Sequence, residues 1–84
     1  MGFINNGFIG SAGLDYKWYE EQEVLEDASE FTIVHEIGAG EKIRIYDTKY
    51  GEWNEIDNYT RNGQVVTLPV LDENLKFQIY GFGN

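Results

Sequence analysis

His35 is the only histidine in the chain, and there is no cysteine. An imidazole or thiolate metal site needs several such ligands, and a Cys–His dyad needs the thiol. His35 is therefore read as a sheet histidine satisfied by a neighbour. Ser11 and Ser29 stand in no nucleophile motif. The paired carboxylates Glu20/Glu21 and Asp72/Glu73 have the residue types of glycoside hydrolysis. That chemistry needs two carboxyl groups across a deep cleft, and 84 residues leave little room for one. The oxygen-rich tracts EEQE (20–23) and DEN (72–74) do not match a D-x-[DN]-x-[DN]-G calcium loop. DEN is read as a turn with Asn74 in the left-handed position. GAG at 38–40 joins two strands, so it is not a phosphate loop. NYT at 58–60 fits N-x-[ST], a triplet that arises often by chance. No catalytic residue, metal ligand or cofactor is assigned.

One constellation remains. Tyr46, Trp53 and Tyr59 are large aromatics set among carboxylates and amides. Such rings stack on sugars and anchor protein interfaces. The alternative is that they fill a core, where large aromatics usually reside. Which holds depends on the strands that carry them.

Five runs read as β: FTIVHEI, KIRIYD, EWNEIDNYT, QVVTLPVL and LKFQIYGF. They are rich in β-branched and aromatic residues, and GAG, TKYG, NG and DEN separate them. Short connections predict antiparallel pairing of neighbours, meander-like from residue 31 onward. Pro69 should sit at an edge or bulge. Residues 14–30 are ambiguous and are read as one or two short strands. A four-residue TKYG loop with Gly51 left-handed pairs Asp47 with Glu52, Tyr46 with Trp53, Arg44 with Glu55 and Ile43 with Ile56. A three-residue GAG loop with Gly40 left-handed pairs Ile33 with Ile45. An Asn62-Gly63 turn pairs Tyr59 with Val66. Phe31, Ile33, Ile37, Ile43, Ile45 and Ile56 then share a core face. Tyr46, Trp53, Tyr59, Val66, Leu68 and Val70 share the other. A sheet open to water should alternate cleanly, and this one does not, so something must cover the second face. A second sheet from residues 14–25 and 75–82 would do so, as would a partner. Trp53 is expected at the rim of a partly covered face.

The formal net charge is −9, from 15 acidic and 6 basic residues. Such a field repels phosphate, which argues against direct nucleic-acid binding. No run of about 18 apolar residues exists, so membrane insertion is not expected. Residues 1–13 are a Gly-rich arm with GFI at 2–4 and 7–9. They lack a positive n-region and so do not read as a secretory signal, and Asn6 breaks the myristoylation pattern. Residues 14–84 form a single β domain. The fold class is all-β: a small antiparallel β-sandwich or barrel of six to seven strands.

IGAGEKIRIYD, EWNEID, NGQVVTLPV and the closing LKFQIYGFGN resemble small antiparallel β-sandwich modules of tailed-phage virion proteins, such as tail or head appendages. The resemblance covers about sixty residues by pattern. It implies a non-catalytic structural or adhesion module, virion-associated, that contacts protein or glycan through homo-oligomer or partner surfaces. Two alternatives stand beside it: an acidic inhibitor that mimics nucleic acid on a nuclease or defence protein, and a stand-alone carbohydrate-binding domain. A mimic needs carboxylates spread along one face. A module needs an apolar or aromatic patch.

Overall fold

The computed structural model describes residues 16–83; the Gly-rich arm read at 1–13 lies outside the described residues. Seven strands are described: β1 (Tyr16–Val24), β2 (Glu30–Thr32), β3 (Lys42–Asp47), β4 (Asn54–Ile56), β5 (Thr60–Asn62), β6 (Val65–Thr67) and β7 (Leu75–Phe82). They form two antiparallel sheets, ordered β1-β7-β3-β4 and β2-β6-β5. The all-β two-sheet class is the one expected. Within the stretch read as one or two short strands, Tyr16–Val24 form the nine-residue strand β1.

Adjacent runs pair as expected at β3–β4 and β5–β6. Elsewhere the chain changes sheet. β2 pairs with β6 rather than β3, so Ile33 does not face Ile45 across a ladder. The two side chains belong to opposed layers and meet in the core instead, both fully buried. Between Ile56 and Thr60 the run EWNEIDNYT breaks, and its halves become β4 in one sheet and β5 in the other. β7 is the centre of the larger sheet, flanked by β1 and β3.

The core follows from alternation. On β7, Leu75, Phe77 and Ile79 point inward while Lys76, Gln78 and Tyr80 point outward. Val24 and Ile45 join them from the same sheet; Phe31, Ile33, Val66 and Leu68 come from the chain of the smaller sheet and its flanks. Phe31 stacks on Phe77 across the layers, with centroids 5.3 Å apart. Each of these side chains, removed from water, contributes about 1.5–3 kcal/mol. Val66 and Leu68 thus belong to the core, not to the Tyr46 face, and Val70 is exposed. Pro69 lies just past the end of β6, where no ladder N–H is required.

Two turns differ from the expected register by two residues. β3–β4 pairs Ile45 with Ile56, Tyr46 with Glu55 and Asp47 with Asn54. The loop is longer because a short 3₁₀ turn, Lys49–Gly51, occupies it. Gly51 has φ 79°, as expected, but Tyr50 before it is also left-handed, at 63°. At the next hairpin Asn62 pairs with Val65, so Gly63 (φ 63°) is the first central residue, as a type II′ turn requires. Tyr59 therefore does not pair with Val66; Arg61 does. Asn74 is not left-handed. That backbone conformation belongs to Asp27 (φ 75°), whose neighbour Glu26 donates its N–H to Asn74 Oδ1 at 2.8 Å.

Candidate binding surface

The outer face of the larger sheet is built in rows across three strands. The register aligns Tyr16, Phe82 and Lys42 in one row, Tyr19, Tyr80 and Arg44 in the next, and Glu21, Gln78 and Tyr46 in a third. Alternation puts all of these on the side away from Ile45 and Phe77. A bulge at Lys17 keeps Tyr16 and Tyr19 on one face although they are three residues apart.

Tyr80 is the hub. Its ring centroid lies 5.1 Å from Tyr16, 5.0 Å from Tyr19 and 5.7 Å from Tyr46, at interplanar angles of 75°, 50° and 82°. These are edge-to-face and tilted contacts, the preferred geometry of aromatic quadrupoles. Arg44 stacks over Phe82 at 5.8 Å and pairs with Glu55 at 3.6 Å. The Arg44–Glu55 pair expected from the sequence is thus present as a diagonal contact rather than a direct cross-strand one. Burial raises the Tyr80 pKa, with Tyr16, Tyr46 and Glu21 adding to it. Burial raises that of Tyr19 further, helped by its hydrogen bond to the Glu21 carboxylate. Both phenols keep their protons at neutral pH and can donate them.

Charge on this face is balanced. Lys42, Arg44 and Lys76 oppose Glu21, Glu23 and Glu55, so half of the chain's six basic residues sit here. Among the paired residues of this face the two signs cancel, in a chain of net charge −9.

The three aromatics singled out from the sequence are not brought together. Tyr46 is on this face, in contact with Tyr80. Trp53 precedes β4, is 36% exposed, and lies at the margin where the loop enters the sheet. Tyr59 packs against the core cluster, and burial raises its pKa. The break between β4 and β5 reverses the side it would have taken in one continuous strand. Tyr16, Tyr19, Tyr80 and Phe82 were missed. Their signal was the alternation at 78, 80 and 82, but only the pairing of β7 with β1 and β3 places it beside Tyr46.

A second polar cluster links the layers at the other side of β1. Glu20 accepts from His35 Nδ1 at 2.6 Å and from the Val34 and His35 N–H groups at 3.0 and 3.1 Å. His35 is thus satisfied by a neighbour. Its ring stacks on Trp18 at 4.6 Å and 5°. Burial would raise the Glu20 pKa, but the hydrogen bonds from His35, Val34 and Gln22 outweigh it and hold the carboxyl below its ordinary value. Trp18 Nε1 is buried with no partner at hydrogen-bond geometry. The Glu41 carboxylate lies near enough to feel the indole and is itself held by Lys17 at 2.9 Å.

Where the sheets part at the far end, a cleft of about 190 Å³ opens over Ile56, Leu68 and Phe77, with Asp47, Lys49 and Asp72 at its rim. Lys49 is already paired with Asp72 at 3.4 Å. Among the described residues no three metal-ligating side chains converge. No helix of the described residues is long and apolar enough to cross a membrane.

No protein-family model, no curated protein and no solved structure matches this chain.

Proposed function

We propose that the protein acts by binding rather than catalysis, as a structural or adhesion module, and that its contact surface is the tyrosine face of the larger sheet. The observation that carries this reading is the Tyr80-centred cluster with Tyr16, Tyr19 and Tyr46, set on a charge-balanced face of a strongly acidic chain. Tyrosine and arginine are the residues that anchor protein interfaces. The rings stand at 50–82° to one another, so they offer edges and hydroxyls rather than one coplanar platform. That favours protein side chains over a stacked sugar ring. A nucleic-acid mimic would place carboxylates along its contact face; here they are matched by cations. A surface of this kind suits a subunit of an assembly, the setting implied by the resemblance to virion modules.

The test is a photoreactive benzophenone amino acid at position 46, with position 67 on the outer side of the smaller sheet as control. A discrete protein adduct from position 46, none from 67, and a loss of yield on Tyr16→Ser without a change in melting are expected. No adduct from position 46, or unfolding of the Tyr16→Ser variant, overturns the reading.

A further inference from the structure

We propose that the occupant of the tyrosine face is a second copy of this chain, packed face to face about a two-fold axis running along β7. The proposal rests on the binding reading above and adds the partner.

The rows of the face are complementary to their own reversal. A two-fold along β7 lays β1 of one copy over β3 of the other, row on row. Tyr16 then meets Lys42 of the second copy, and Tyr19 meets Arg44. Both place a cation over an aromatic face. Glu21 meets Tyr46, whose hydroxyl can donate to the carboxylate. On the axis, Tyr80, Phe82 and Gln78 each meet their own counterpart: two aromatic pairs, and a pair of amides that each offer a donor and an acceptor. Lys76, one row further along β7, also meets its counterpart, at the exposed end of the face.

The other face-to-face two-fold, across the strands through the Tyr80 row, lacks this match. It sets Arg44 against Arg44 within the central row and Phe82 against Gln78. The axis along β7 keeps its like-charge contact at the end of the face rather than in the central row, and this favours it. An isologous interface demands this kind of self-match. Sheets stacked face to face cross at about 30°, so the axis lies about 15° off β7, a tilt that keeps the three rows near it in contact.

Size and charge also fit. The molecule measures 33 × 32 × 18 Å, and its broad side accommodates the roughly 800 Å² per partner of a standard interface. Two copies that each carry −9 repel at long range, but the six charges on this face cancel. The residual repulsion is screened beyond about 8 Å at physiological salt.

The test uses the full chain. Sedimentation equilibrium across a concentration series should show reversible association to twice the chain mass. Arg44→Glu, which puts a carboxylate over Tyr19 and near Glu21 of the second copy, should weaken it at least about tenfold while the chain stays folded, with only the small loss of melting temperature that an exposed ion pair explains. The chain has no cysteine, so Gln78→Cys introduces a single thiol on the axis. A short bis-maleimide should join two Gln78→Cys chains and leave Thr67→Cys chains unjoined. A monomer at every concentration with no position-78 cross-link overturns the pairing. A position-46 adduct of some other mass would then show that the binding reading stands with a different partner. Absence of any adduct removes both. A dimer that Arg44→Glu leaves intact, or that cross-links through position 67, also overturns the axis.

Discussion

Gly81 lies beneath the indole of Trp18: a Cβ built at Gly81 falls inside the ring system. The two residues are register partners on β7 and β1, and the ring occupies the space that a side chain would take. Trp18 is wedged between this glycine and the His35 ring, so it cannot step aside cheaply. Gly81→Ala should cost about 1–3 kcal/mol through overpacking. Denaturant midpoints check it, and Trp18→Leu in the same chain should reduce the cost by giving the methyl room. Equal stability of Gly81→Ala and the parent would disprove the wedge.

Glu20 ties β1 to the segment after β2. Its carboxylate is mostly buried and accepts from one side chain of that segment and two backbone N–H groups. Glu20→Gln keeps the shape and removes the charge; hydrogen bonds to a charged group contribute about 1.5–3 kcal/mol, so a loss of that order is expected. The folded-state pKa of Glu20 is depressed below the ordinary carboxyl value. Its contribution is therefore complete above that value and disappears as the pH falls through the folded pKa. Parent and Glu20→Gln stabilities should differ most at neutral pH and converge in acid. A gap that persists unchanged well below pH 4 would contradict the assignment.

The loop after β3 holds two consecutive left-handed residues, Tyr50 and Gly51. No atom stands within 4 Å of a Cβ placed on Gly51, so only the backbone resists a side chain there. Gly51→Ala should cost about 1 kcal/mol. Tyr50 is highly exposed, and its conformation disfavours a bulky residue by about 1–2 kcal/mol. Tyr50→Asn should therefore raise the thermal midpoint. A fall on Tyr50→Asn would mean that the tyrosine makes a contact worth more than its strain.

Trp53 distinguishes a margin residue from a core one. At 36% exposure, Trp53→Ala should cost about 1–2 kcal/mol, short of the about 3–5 kcal/mol of a fully buried tryptophan. Calorimetry or chemical denaturation measures it. A loss above about 3 kcal/mol would place Trp53 among the structural anchors of β4.

Within a single uninterrupted strand the sequence was a faithful guide. Ile43 and Ile45 face inward while Arg44 and Tyr46 face outward, as alternation required. Glycines 40, 51 and 63 all take positive φ. The β3–β4 register slipped by two residues, which keeps its side chains on their sides; Ile56 moved from Ile43 to Ile45 without leaving the inner face. The slips have local causes. Tyr50 adopts a conformation that tyrosine normally avoids, and Gly63 opens its turn rather than closing it. What pattern could not convey is where the chain leaves one sheet for the other. Phe31 and Ile33 read as partners of β3 because nothing in FTIVHEIGAGEK marks the crossing after Thr32. Tyr59 was assigned to the outer face because Asp57 and Asn58 read as strand. The tyrosine face escaped for a related reason: Tyr16 and Phe82 pair across nearly the whole described chain, and no short-range signal announces such a pairing.

The order of the larger sheet sets a constraint on synthesis. β7 is the last strand along the described chain and the middle one in space, holding β1 on one edge and β3 on the other. A nascent chain that has emerged only as far as Asp72 can form the β3–β4 hairpin, but it has no slot into which β1 can dock. The larger layer must close after residues 75–82 leave the ribosome, in one step that joins distant segments. Pairing over such separations is slow, on the millisecond-to-second scale of all-β domains. During that interval the unpaired edges of β1 and β3 are open to other chains. Stopping translation before Leu75 should thus release an aggregation-prone polypeptide rather than a smaller folded domain, and pulse-labelling with protease challenge would date the moment at which resistance appears.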